Sequence, residues 1–209
     1  TVFAPGGKTP VATIAQGQDI TERRKAEEQL KESNARLQAT LQGTIEVIRQ
    51  MTEARDPYTS GHQQRVAELS VAIARQMGLP EESCVSLIRT AALIHDIGKI
   101  VVPAEILSKP GALSATERSL IMAHPQVGYD IVSRASLPEP VPEVVLQHHE
   151  RLNGSGYPRG LSGDAILPEA QILAVADVVE AMSSHRPYRP SIGIKKTLDE
   201  ISLNKGILY

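Results

Sequence analysis

Three features of this 209-residue sequence predict an all-α fold. Apolar residues recur at helical spacing through most of the chain after Asp56-Pro57, as Val66, Leu69, Ile73 and Met77 do. Glycine and proline gather between such stretches, at Gly78-Leu79-Pro80, Lys109-Pro110-Gly111, Leu137-Pro138, 153–163 and 186–193. Ahead of them, residues 21–51 form a long proline-free, highly charged run with the look of one extended helix.

In chain order, residues 1–20 are punctuated by Gly and Pro and too few to bury a core alone, with Val11 to Ala15 as a candidate strand. Thr21 suits the N-cap of the long helix. A seven-residue repeat fits this helix, with Leu30, Leu37, Thr44 and Met51 at one seam position and Asn34, Leu41 and Ile48 at the other. Two readings stand open: a parallel coiled coil whose register Asn34 would fix, and a single amphipathic helix packed on its own domain. Further helices are expected over 61–77, 81–98, 115–123, 126–133, 142–149, 170–183 and 194–204.

The core must be mostly aliphatic, since the chain has no Trp and one Phe. A net charge of -2 argues against a binder of nucleic-acid polymers but leaves room for a small anion held by local cations. Cys84 is the sole cysteine, so no internal disulfide can form, and a cytoplasmic, reducing setting is expected. No apolar run approaches the roughly 20 residues of a membrane span. A piece of a longer chain is expected.

The placement of the acids and imidazoles carries the chemistry. His62 precedes Val66 by four residues and Leu69 by seven, on the apolar face of its helix. His95 follows Ile88 and Ala92 on another buried stripe, with Asp96 beside it in the run AALIHDIGKI. Asp177 lies inside ILAVADVVEAM, with no Lys or Arg within one turn. An ionised acid left unpaired there would cost several kcal/mol or more. Singly, each residue reads as a hydrogen-bonded core histidine or a helix acid. Together, His62, His95, Asp96, His124, His148, His149 and Asp177 give seven N/O donors on at least five segments. That number exceeds one closed site and suits two adjacent cations.

These residues lie within motifs that resemble the HD superfamily of metal-dependent phosphohydrolases. His95-Asp96 followed by Gly98-Lys99 looks like its signature, and HHERLNGSGYP, from His148 to Pro158, resembles the second signature of the HD-GYP subfamily. DPYTSGH ending at His62, VPAEILSKPG, HPQVG from His124 and VADVVEAMSSHRPYRP from Val175 follow in the family's order. The resemblance implies an HD-type helical bundle over 52–209 that opens cyclic di-GMP to linear pGpG, in some members onward to GMP. It implies two divalent ions of iron, manganese or zinc held by the seven residues above, with Asp96 as bridge and catalytic group. Tyr58 stands where some members place a third-metal glutamate. Lys99 matches a phosphate-contacting lysine, while Tyr157, Arg186 and Arg189 match substrate contacts. Glu180, one turn past Asp177, reads equally as a residue behind the ligands or as a plain helix acid. The GYP loop implies a site wall and, secondarily, a surface for a diguanylate cyclase partner. GQDITERRKAEEQL, from Gly17, is similar to the end of a PAS sensor domain, which would make 1–20 its remnant, 21–51 a signalling linker and the long helix a homodimer contact. Two alternatives keep the fold: an HD phosphohydrolase for another nucleotide, and a catalytically weak interaction module.

Overall fold

The computed structural model describes residues 2–3, 5–8, 10–12, 19–56, 60–184 and 191–209. Arg186, Arg189, Tyr58 and the last residues of the expected strand, 13–15, lie outside them. Among the described residues the fold is all-α apart from one short antiparallel pair, β1 (Val2–Phe3) and β2 (Pro10–Ala12). It divides into two compact units, 1–42 and 43–209, and α1 (Thr21–Arg55) runs from one into the other. In the first unit α1 exposes Leu30, Leu37 and Leu41 along with Arg23–Glu27 and Glu22–Lys25 pairs.

In the second unit, Ile45 and Thr52 of α1 are buried, and Ile48 packs against the main aliphatic cluster. α2 (His62–Gln76) buries Val66, Ala67, Ser70, Val71 and Ala74 on one face. Its small residues let α3 (Ser86–Ile94) and α8 (Pro168–Ser183) approach closely. α7 (Val141–Gln147) fills the space between α3, α6 (His124–Val132) and α8 with Val141, Val144, Val145 and Leu146, all fully buried. The peripheral α4 (Ala104–Leu107) and α5 (Ala115–Met122) line one side, and α9 (Ile194–Leu203) packs on α8. A capping box starts α5: Glu117 N–H donates to Ser114 Oγ and Ser114 N–H to the Glu117 carboxylate.

One element departs from the periodicity. The helix expected over 81–98 begins with a π turn, Glu81–Val85, and stops at Ile94, followed by a 3-10 turn over Ile97–Val101. Packing explains the break. A Cβ at Gly98 would fall 1.9 Å from the His124 carbonyl oxygen and 2.6 Å from Gly128 N. Backbone meets backbone there, which only glycine allows, and the chain turns after His95-Asp96 to pass α6. The short α4 falls in a stretch expected to be loop.

Candidate metal centre

Five elements of the second unit deliver donors to one place. His62 opens α2, His95 and Asp96 lie at the end of α3, and His124 starts α6. His148 and His149 follow the last turn of α7, and Asp177 projects from the middle of α8. Helix ends suit this task because they aim a side chain while the helix anchors its backbone. Every one of the seven candidate residues is in the cluster. Six are buried, and His149 is half-buried.

Three histidines are oriented in the same way. His95 Nδ1 is 2.7 Å from the Ala92 carbonyl, His124 Nδ1 2.7 Å from that of Ile121, and His148 Nδ1 2.6 Å from that of Val145. A carbonyl only accepts, so each Nδ1 carries the proton and each Nε2 presents a lone pair inward. His95 Nε2 is buried with no hydrogen-bond partner among the described residues. His124 Nε2 and His148 Nε2 face each other at 3.2 Å, and Asp96 Oδ1 lies 3.3 Å from His124 Nε2. Burial lowers the pKa of His124 to about 4 and holds His148 and His149 well below the usual imidazole range. Neutral lone pairs converging on one another repel. A cation between them turns that repulsion into ligation, so the donor set fits a metal.

The acids complete two groups. His62, His95 and Asp96 form one set of converging ligand atoms, and His124, His148 and His149 another, each able to hold an ion. Asp96 reaches both: Oδ2 lies 3.5 Å from His95 Nε2 and 4.0 Å from His62 Nε2, while Oδ1 faces His124. Asp177 also reaches both, with Oδ1 3.3 Å from His62 Nε2 and Oδ2 3.9 Å from His149 Nδ1. Burial pushes both carboxyls up, yet the surrounding cations (Lys99 foremost at Asp96, His62 at Asp177) hold each well below the usual range.

His62 is oriented differently. Its Nδ1 donates to Glu180 Oε2, and that carboxylate also accepts from Arg65 Nη2 at 2.6 Å and Ser184 Oγ at 2.7 Å. Burial disfavours its charge, but the Asp177 and Glu180 carboxylates raise its pKa to about 9. Burial likewise raises Glu180, and the bond from His62 brings it down to about 2. Glu180 therefore stands behind His62, a candidate ligand, in keeping with one of the two readings left open by its spacing.

Five of the seven, His62, Asp96, His124, His149 and Asp177, border a cavity of roughly 310 Å³, within the size range of small-molecule sites. Lys99 lies on its wall with Nζ 2.7 Å from Asp96 Oδ2. Tyr157 also lines the cavity, its ring centroid 4.7 Å from that of His149, and burial raises its pKa. The loop that carries Tyr157 folds tightly back on the ligand segment. A Cβ at Gly156 would fall 2.4 Å from Glu150 Cα, and the buried Glu150 carboxylate accepts from Arg159 N at 2.8 Å and Leu161 N at 2.9 Å. Asn153 Oδ1 accepts from Ser155 N, a turn contact that asparagine provides as well as aspartate would.

Several wall residues escaped the sequence analysis. Asp56 is buried on the cavity, and Ile106, Leu107, Leu113 and Ile121 give it an apolar side. Arg65 had a signal, since it lies one turn after His62 on the same face. Glu150 had one too, an acid directly after two buried histidines. The apolar wall had none, because isolated Leu and Ile in a loop look like any others.

A family profile described as "HD domain" matches residues 46–209. The chain belongs to the HD-domain family. Over 167 residues it is 42% identical to a cyclic di-GMP phosphodiesterase of Thermotoga maritima, covering 79% of this chain and 45% of that protein. Over 160 residues it is 39% identical to 3'3'-cGAMP-specific phosphodiesterase 3 of Vibrio cholerae, covering 77% and 35%. The chain thus spans less than half the length of these curated relatives. Bd1817, an HDG"Y"P protein from Bdellovibrio bacteriovorus, shares the fold with TM-score 0.60 at 23% identity, covering 71% of this chain and 47% of its own. The all-α, HD-type architecture expected from the sequence is the one found. No described helix is long and apolar enough to cross a membrane.

Proposed function

We propose that residues 52–209 are an HD-GYP phosphodiesterase domain that hydrolyses cyclic di-GMP to linear pGpG, with GMP as a further product where the linear dinucleotide rebinds. The supporting observation is the placement of Asp96, whose two oxygens each face a different group of histidine donors. Two divalent ions of iron, manganese or zinc, held by His62, His95, Asp96, His124, His148, His149 and Asp177, would supply Lewis-acid stabilisation of phosphoryl oxygens and a lowered pKa for attacking water.

The chain's own groups do the rest. Asp96 and Asp177 hold negative charge between the two donor groups, so both groups serve one reaction space. Lys99 brings a fixed cation to the cavity wall, where it offsets charge that develops on the scissile phosphate. The Tyr157 phenol, kept protonated by burial, donates a hydrogen bond to the substrate. Arg186 and Arg189 are assigned the grip on the second phosphate or the guanine edges, through planar bidentate contacts.

The remaining assignments follow from the motifs. Residues 1–20 are taken as the end of a PAS-like sensor domain and 21–51 as a cytoplasmic signalling linker that pairs two chains along the Leu30, Leu37 and Leu41 stripe. The outer edge of the GYP loop, with Pro158, Arg159 and Gly160 exposed, is where a diguanylate cyclase partner would dock. The test is purified protein incubated with cyclic di-GMP and, in parallel, 3'3'-cGAMP, with and without chelator. Chelator-sensitive formation of pGpG is expected. A higher kcat/KM on 3'3'-cGAMP, the substrate in the name of the Vibrio relative, would move the substrate assignment. Turnover unchanged by Asp96→Ala in metal-depleted buffer would end it.

A further inference from the structure

His62 depends on a relay of side chains that reaches the protein surface and the last turns of α1. Its Nδ1 donates to Glu180, a carboxylate only 6% exposed. Glu180 Oε1 accepts from Arg65 Nε at 2.8 Å and Nη2 at 2.6 Å, and the Arg65 side chain is half exposed. Arg65 Nη1 also donates to the Ser60 carbonyl at 3.3 Å, beside the turn that leads into α2. On the other side of that turn, Gly61 N–H donates to Glu53 Oε1 at 3.0 Å. Glu53 is fixed in turn by Arg49 Nη1 at 2.5 Å, and Arg49 also grips Glu46 at 2.6 Å. Gly61 has φ +69, where a side chain would be strained, so the turn has little freedom of its own.

We propose that Arg65 and Glu53 are positioning residues for His62, and that they set the affinity of the metal position His62 serves separately from the one served by His124, His148 and His149. This rests on the metal-centre reading and extends it by making the two positions unequal. Arg65 fixes the imidazole through Glu180: without the guanidinium, the buried carboxylate loses two hydrogen bonds from a fixed cation and, with them, its orientation. Glu53 fixes the backbone one residue before His62. Because Glu53 and Arg49 belong to α1, a shift of that helix acts first on His62 and leaves the histidines anchored to their own carbonyls in place.

Manganese titration of the metal-free full chain, followed by calorimetry and by the electron paramagnetic resonance of coupled manganese, tests this. Two binding events are expected in the wild type. Arg65→Ala should weaken one of them by about tenfold or more, leave the other unchanged and remove the coupled signal. Glu53→Ala should weaken the same event by less. Arg65→Lys, which keeps the charge, should restore part of the loss, which a general packing defect would not do. Two unaltered events in Arg65→Ala, or equal weakening of both without recovery in Arg65→Lys, overturns the proposal alone. Absence of any binding of manganese, iron or zinc in the wild type overturns the metal-centre reading and this proposal with it.

Discussion

The histidines of the centre are held in place in two different ways. His95, His124 and His148 each lock one ring nitrogen onto a carbonyl three residues back, so the backbone itself fixes both tautomer and direction. His62 has no such local anchor. It relies on Glu180, 118 residues away in sequence, which is held by a half-exposed arginine. The difference teaches where a site can be adjusted. A histidine tied to its own helix moves only with that helix, while one tied to a chain of side chains responds to anything that moves the chain.

Asp96 joins the two groups, so its loss should erase the distinction. Asp96→Ala is expected to reduce phosphodiester hydrolysis by more than about 100-fold, beyond the range typical of residues standing behind a ligand. Manganese titration should show both binding events weakened, and loss of one alone would break the comparison. Gly98→Ala acts on His124, one of the carbonyl-anchored histidines. The added methyl meets the His124 carbonyl, so the 3-10 turn and α6 must separate. Destabilisation of about 3 kcal/mol is expected in urea unfolding, at the upper end for forced overpacking. Glu150→Gln comes next. An amide offers one acceptor oxygen where the carboxylate serves two backbone N–H groups, so a cost of about 2 kcal/mol is expected, with KM rising more than kcat falls as Tyr157 loosens.

The individual donors were the more legible part of the site. His95 and Asp96 stood out because an apolar helical stripe is a costly place for an acid, and His124 and His148-His149 followed from recurrence of the same residue type. The fold was legible for a related reason: helical periodicity and Gly/Pro punctuation are local signals, and most helices begin and end near the expected residues. What local signals could not show was contact between distant segments. The break after His95-Asp96 depends on Gly98 meeting Gly128 and the His124 backbone, partners about 30 residues further on. Glu180 carried two readings because its spacing from Asp177 says nothing about His62, which arrives from α2. The apolar wall of Ile106, Leu107, Leu113 and Ile121 exists only once α4 and α5 are folded against the ligand helices.

The finest probe of the hold on His62 is Ser184, which also donates to Glu180. Its hydroxyl donates to Oε1, the same oxygen that Arg65 grips, at 2.7 Å. Ser184→Ala removes one bond to a charged acceptor while the guanidinium stays, so Glu180 remains compensated and only its orientation is freed. A loss of about 1 kcal/mol, or roughly fivefold in affinity, is expected at the position His62 serves. The position served by His124, His148 and His149 should not change. A response as large as that of Arg65→Ala would mean that orientation rather than charge fixes His62. No response would mean that the arginine contact suffices without the serine, and the relay would then run from His62 through Glu180 to Arg65 undisturbed.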